Sequence, residues 1–280
     1  MTVEIGCGKG EQHMISEKQW ADFDEQGYVK LGNVIEVNTI ENLRQRIDEI
    51  MLGQAELNYD QITMQEDADP NDYETHKPHT LGHKGGHLNY RKIQKLEFDP
   101  LFLRYMQLPI FQEACARIYG TGTPITAFRA MFINKPAGRG TFLRWHQDLF
   151  NFLSATPFLT AWTALDTATV KNGCIQIIPG SHKLGYLNPT NRSAFLTDEQ
   201  VDQHCSKEKV VHLTVDSGEV ILLHNWLLHS SDRNNTDTPR RAFSVCYMDA
   251  ATKRIDGTDT KYTQIFGPDA LTTEQLEASA

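Results

Sequence analysis

His146 and Asp148 stand two apart in Arg144-Trp145-His146-Gln147-Asp148, and far downstream another imidazole, His229, precedes Arg240. On a strand, residues two apart project from the same face. An imidazole and a carboxylate so placed, joined by a second imidazole, would cover one face of an octahedral metal. Two His and one carboxylate with open positions is the facial triad of non-haem Fe(II) oxygenases. Arg240 would stand beside that metal as a planar fork for a carboxylate. A 2-oxo acid can chelate two of the open positions, with O2 in the last. These residues read as an Fe(II) oxygenase consuming a small dicarboxylic acid. The third ligand has a rival in His224. In an unbroken strand His224 and His229 face opposite sides, so both cannot line one metal without a bulge. The distance to Arg240 favours His229 and leaves His224 as a core or supporting histidine.

The elements around these residues change character along the chain. Ser16 with Gln19 forms a capping box ahead of Trp20 and Phe23, and Gly27 ends that helix. Asn38 with Glu41 is expected to start a second helix carrying Ile40, Leu43, Ile47, Ile50 and Met51 at helical spacing. Residues 60–90, with Pro70, Pro78, Gly82, Gly85 and Gly86, read as a long loop or lid. Asp99-Pro100 opens a further helical stretch, interrupted at Pro109 and ending at Gly120. After Pro124 come the short apolar runs Ile125–Asn134, Phe158–Leu165, Cys174–Ile178, Val210–Val215, Val220–Leu228 and Ala242–Met248. Turn signals separate them, as in an antiparallel sandwich or barrel. Thr197 with Gln200 can cap a short helix, and a surface helix follows Thr272.

With 280 residues, 40% of them hydrophobic, the chain can bury one substantial core, so the expectation is one domain with decorations. A formal charge of -9 argues against nucleic acid and offers no polybasic patch to a membrane. No run approaches the length of a membrane span, and Met1 to Gln12 holds no apolar signal region. The 5 cysteines are scattered without a CxxC, which suits reduced thiols in a cytoplasmic protein.

Several ordered blocks resemble the phytanoyl-CoA dioxygenase family of Fe(II)/2-oxoglutarate-dependent oxygenases. They are Lys92-Ile93-Gln94, Leu108-Pro109, Met131-Phe132-Ile133-Asn134-Lys135-Pro136, His146-Gln147-Asp148-Leu149, Ala161-Trp162-Thr163-Ala164, Asn172-Gly173-Cys174, Pro179-Gly180-Ser181-His182-Lys183, and His229-Ser230 with Arg240. The similarity runs from about Tyr90 to Asp249 and thins on either side. It implies a mainly β protein with a double-stranded β-helix (jelly-roll, cupin-like) core over 121–250. A mostly helical flank over 1–120 and a tail over 251–280 complete the single domain. By position it implies that His146, Asp148 and His229 hold Fe(II), with 2-oxoglutarate and O2 as cosubstrates. It likewise implies that Arg240 anchors the far carboxylate of 2-oxoglutarate, and that Lys92, Met131, Trp162 and Ser231 contact that cosubstrate.

The carboxylate ligand favours hydroxylation over halogenation, since a halide would need the place Asp148 fills. A small polar natural product is the expected substrate. One example is a cyanobacterial alkaloid of the cylindrospermopsin type, whose guanidinium an acidic lid of Glu66, Asp67, Asp69 and Asp72 would suit. The commoner meaning of such an acidic run is a solvated loop. A fatty acyl-CoA is the alternative by family name, and a zinc-dependent cupin-like hydrolase or isomerase the alternative by triad. His76, His79, His83 and His87 resemble a second metal site, but Pro78 and Gly82 prevent the continuous helix that would align them. Pro179-Gly180-Ser181-His182-Lys183 reads as a structural turn, and Phe150 and Phe152 line or underlie the mouth.

Overall fold

A computed structural model describes residues 14–67, 77–148, 150–189 and 194–278. Its elements, in chain order, are α1 (Glu17–Gln26), β1 (Tyr28–Gly32), α2 (Val37–Leu52), β2 (Thr63–Glu66), β3 (Thr80–Leu81), β4 (Tyr90–Gln94), α3 (Pro100–Met106) and α4 (Pro109–Tyr119). There follow β5 (Ile125–Lys135), β6 (Leu143–His146), β7 (Leu159–Ala164), β8 (Ile175–Ile177), α5 (Asp198–His204), β9 (Val211–Leu213), β10 (Val220–His224), β11 (His229–Ser231), β12 (Arg240–Asp249), β13 (Thr263–Phe266) and α6 (Thr273–Glu277).

Every pairing among these strands is antiparallel. A large sheet runs β1-β10-β7-β12-β5-β4-β2-β3, with β13 also on β5, and a small one runs β6-β11-β8-β9. The two sheets close on each other as a double-stranded β-helix, the jelly roll expected from the sequence. β7 is buried at all six positions because both its faces are covered. Ala161, Leu222, Val245 and Phe132 face outward under the helices with Trp20, Leu43, Ile47 and Phe102. Trp162, Ala164, Ile221 and Leu223 face inward to meet Ile175, Ile177 and Leu213 of the small sheet.

The capping boxes at Ser16, Thr197 and Thr272 form as expected, and Asp99 caps α3 ahead of Pro100. Three expectations change. The second helix begins at Val37 behind Glu36, which makes no side-chain cap, so Asn38 and Glu41 already lie inside the helix. Residues 60–90 are not one loop: β2 pairs with β4 and β3 pairs with β2, extending the large sheet. The described residues among the first 120 thus contribute four strands besides their helices. The run Val220–Leu228 is two elements, because β10 stops at His224 and the chain turns a corner through Asn225–Leu227 into the other sheet.

Candidate active site

His146 ends β6 and His229 begins β11, and the two are register partners in the small sheet. Asp148 lies just past the strand. Alternation along β6 alone does not aim it: its backbone N–H donates to the Asn225 carbonyl at 2.9 Å, tying the segment to the β10–β11 corner. Between the two ligand candidates, Gln147 is buried, and its amide donates to the carbonyls of Gly185 and Trp226, each at 2.8 Å. The corner is fixed by Asn225, which accepts from Thr160 Oγ1 at 2.6 Å and donates to the Pro157 carbonyl at 2.8 Å.

These ties bring one donor atom each from His146, Asp148 and His229 to within 4.8 Å of one another. It is the one such His/Cys/Asp/Glu group among the described residues. His146 Nδ1 lies 2.8 Å from the Arg144 carbonyl and His229 Nδ1 lies 2.9 Å from that of Leu227. A carbonyl can only accept, so each Nδ1 carries the proton and each Nε2 keeps its lone pair for a metal. Burial, with His229 beside it, holds the His146 imidazole down to about 3, so it is neutral, as a ligand must be. Burial alone would raise the Asp148 carboxyl, but Arg129 and the two imidazoles outweigh it and hold it well below its ordinary value. The Arg129 Nη2 donates to Asp148 Oδ2 at 2.9 Å.

Lys92 on β4, Met131 on β5, Trp162 on β7, Ser231 on β11 and Arg240 on β12 all line one cavity with the triad, of about 320 Å³. Arg240 is 2% exposed, its Nε has no hydrogen-bond partner, and it has no ion pair among the described residues. Its guanidinium carbon lies 5.7 Å from the centroid of the Trp162 ring. Burial lowers Arg240 to about 10, still charged at neutral pH. A buried, charged and unpaired guanidinium is costly unless a ligand completes it. Burial, with Arg91 and Arg129 nearby, brings the Lys92 ammonium down to about 7.

The sequence reading did not single out Arg91, Arg129 or Lys135, which line the same cavity. Arg129 had a signal, being a charge inside the apolar run Ile125–Asn134. Arg129 and Lys135 reach the cavity by simple alternation with Met131 and Ile133 along β5. A β-bulge between Cys246 and Tyr247 against β5 falls at Phe128, which packs with Phe150 and Cys246. Another, between Gln65 and Glu66 against β4, lets Arg91 and Lys92 both reach the cavity.

His224 also lines the cavity but is outside the three-donor group. Its Nδ1 accepts from the Trp226 N–H at 3.0 Å, and its ring packs 5.4 Å from Phe158 and 4.9 Å from His182. The Pro179–Lys183 turn is a brace. Gly180 donates to the Gln26 carbonyl at 2.8 Å, and Ser181 Oγ accepts from Leu228 N, next to His229, at 2.8 Å. His83 donates to the Met51 carbonyl at 2.9 Å, while His87 bonds Glu66 at 2.9 Å and stacks on Tyr90. They form no metal cluster with His79 among the described residues, and His76 lies outside those. Phe150 and Phe152 pack with Phe128 and Tyr262, Phe150 on the cavity wall.

The two described lid acids, Glu66 and Asp67, are not free carboxylates. Glu66 pairs with Lys77 at 2.6 Å as well as with His87, and Asp67 accepts from Gly140 N and Thr141 Oγ1 at 3.0 and 2.7 Å. Asp69 and Asp72 lie outside the described residues.

The profile of the family described as Phytanoyl-CoA dioxygenase (PhyH) matches residues 23–242. The chain belongs to the phytanoyl-CoA dioxygenase family. The match begins well before Tyr90, so the family likeness reaches further into the N-terminal region than the motifs indicated. As a member of this family the chain is an Fe(II)/2-oxoglutarate-type oxygenase, with iron as cofactor and 2-oxoglutarate and O2 as cosubstrates. A relative described as a probable phytanoyl-CoA dioxygenase of Caenorhabditis elegans is 26% identical over 85% of this chain and 76% of its own length. Peroxisomal phytanoyl-CoA dioxygenase of Bos taurus is 31% identical over 59% of this chain, a match spanning 51% of that relative. Among solved structures, EctD of S. alaskensis with 2-oxoglutarate and 5-hydroxyectoine superposes with TM-score 0.68 at 18% identity, covering 93% of this chain and 86% of that one. SnoK, described as a non-heme alpha ketoglutarate dependent carbocyclase from nogalamycin biosynthesis, gives 0.58 at 22% identity, covering 87% and 88%. At these identities the likeness is one of fold. No helix among the described residues is long and apolar enough to cross a membrane.

Proposed function

We propose that the chain hydroxylates an aliphatic C–H bond of a small organic metabolite, releasing succinate and CO2 from 2-oxoglutarate. The observation that carries the reading is Arg240, buried, charged and unpaired beside a triad whose two imidazoles each keep Nε2 free. His146, Asp148 and His229 hold the iron, and Arg240 takes the far carboxylate of 2-oxoglutarate. Lys92 and Ser231 add polar contacts, and Met131 and Trp162 wall the cosubstrate. Bound iron with 2-oxoglutarate and O2 supplies the oxidising power. The protein orients the acid, excludes water with Phe150 backed by Phe128, and holds Asp148 through Arg129. Asp148 as a ligand keeps a halide out and favours hydroxylation.

A cavity of about 320 Å³ is at the small end for ligand sites and favours a compact metabolite over a whole acyl-CoA. Natural-product tailoring, including hydroxylation of a cylindrospermopsin-type alkaloid, therefore ranks above the acyl-CoA alternative, although Glu66 and Asp67 lend it no free acid. A zinc hydrolase would leave Arg240 without a purpose. The four described cysteines are buried and unpaired, which suits a cytoplasmic setting. Anaerobic addition of Fe(II) and 2-oxoglutarate is expected to give the visible charge-transfer band of the chelate, and a metabolite panel scored by succinate release identifies the substrate. No band, with no succinate formed in air, would refute the oxygenase assignment.

A further inference from the structure

The wall of the cavity opposes the charge of the whole chain. Arg91, Lys92, Arg129, Lys135 and Arg240 line it against one lining carboxylate among the described residues, Asp148, in a protein of net charge -9. Most of these cations have an assigned partner. Arg129 is paired with Asp148, and Lys135 donates to the Thr141 carbonyl at 2.7 Å. Arg240 faces the far carboxylate of the cosubstrate in the reading above, with Lys92 assisting.

Arg91 is left over. It is 7% exposed and has no hydrogen bond or ion pair among the described residues. The acid acting on it is Asp67, both of whose oxygens already accept hydrogen bonds, from Gly140 and Thr141. A guanidinium does not shed its proton, so it persists in such a place only when something completes it. Nor does the cosubstrate leave a group for it. Of the two carboxylates of 2-oxoglutarate, the reading above gives one to the iron and the other to Arg240 with Lys92. Iron and 2-oxoglutarate carry opposite and equal charges, so the loaded site still presents Arg91 uncompensated.

We propose that Arg91 is a substrate-binding residue that receives an oxyanion on a small substrate, a carboxylate or a sulfate or phosphate ester. The inference rests on the oxygenase reading, because it assigns to substrate what iron and cosubstrate leave open. The bulge at Arg91 is the device that turns it and Lys92 to the same side, giving adjacent residues to substrate and cosubstrate.

The test uses the protein loaded anaerobically with Fe(II) and 2-oxoglutarate, and reads perturbation of the charge-transfer band by hexanoate, hexyl sulfate, hexyl phosphate, hexanamide and hexanoyl-CoA. At least one of the three small oxyanions is expected to bind about tenfold more tightly than the amide. That advantage should vanish in Arg91→Gln and largely survive in Arg91→Lys, with 2-oxoglutarate affinity unchanged in both. The arm that responds distinguishes carboxylate, sulfate and phosphate. The proposal is overturned if no small oxyanion outbinds the amide, or if only hexanoyl-CoA depends on Arg91. It is equally overturned if Arg91→Gln weakens 2-oxoglutarate as Arg240→Gln does. Absence of the band in the unsubstituted protein is a different failure, that of the oxygenase reading; a band in the variants shows that they fold.

Discussion

Arg129 Nη2 lies 2.9 Å from Asp148 Oδ2, so the carboxylate placed to bind metal is already held by a cation before any metal arrives. The pair fixes one oxygen of the carboxylate. It also joins β5 of the large sheet to the segment leaving β6 of the small one.

Arg129→Gln is therefore expected to destabilise the metal-free protein by about 2 kcal/mol, because Asp148 keeps its charge and loses its partner. Fe(II) supplies a replacement cation, so it should raise the melting temperature of the variant more than that of the parent. Calorimetry with and without Fe(II) measures both. An equal rise in the two proteins would contradict this role.

Arg240→Met should have opposite effects on binding and stability. Losing a charge-assisted pair of hydrogen bonds costs roughly 1.5–3 kcal/mol, so 2-oxoglutarate should bind about tenfold to a hundredfold more weakly. The ligand-free variant should melt higher, since an unpaired buried charge has gone. Ser231→Ala should weaken the cosubstrate by less. Titration of the charge-transfer band reads the affinities, and a lower melting temperature for Arg240→Met would count against an unpaired guanidinium.

His229→Ala should abolish Fe(II) binding, whereas His224→Phe should retain it. His224 packs against Phe158 and His182 and accepts from Trp226, so its removal is a matter of packing. Equilibrium dialysis with Fe(II) distinguishes them; the reverse order would transfer the ligand role to His224.

Glu97 gives a pH test away from the site. It is 8% exposed, its Oε2 has no partner, and burial raises its carboxyl from 4.5 to about 7. Between those values the unfolded chain has lost the proton that the folded chain keeps, so stability falls as pH rises. The loss amounts to about 3 kcal/mol and is complete above pH of about 7. Glu97→Gln should flatten this limb of the urea-stability profile while leaving the acid limb; an unchanged slope would place the Glu97 carboxyl near its ordinary range.

Much of the jelly roll was legible because its strands are buried on both faces and read as apolar runs between turn signals. Ile125–Asn134 and Ala242–Met248 correspond to β5 and β12 within one or two residues. The break after His224 was hidden. Asn225-Trp226-Leu227 contains neither Gly nor Pro, and the corner is made by partners far off in the chain, Thr160 and Pro157. The strands β2 and β3 were masked by the Pro, Gly and Asp around them, and exist through pairing with β4. The triad, Arg240 and the cosubstrate wall stood out through their spacing and family blocks. Arg91 did not, because a bulge set by the opposite strand sends it inward. Arg129 shares the inward face of β5 with Met131, but it lay inside an apolar run that read only as a strand.

His146 and His229 being register partners gives the metal a mechanical meaning. Among the described residues, β6 pairs within its sheet only with β11, and on its other side it meets just the short segment 194–196. An ion bridging the two imidazoles is a staple across the β6–β11 seam. Amide hydrogen exchange along Leu143–His146 should slow when Fe(II) binds, while β7 and β10, held on both sides within the large sheet, exchange as before.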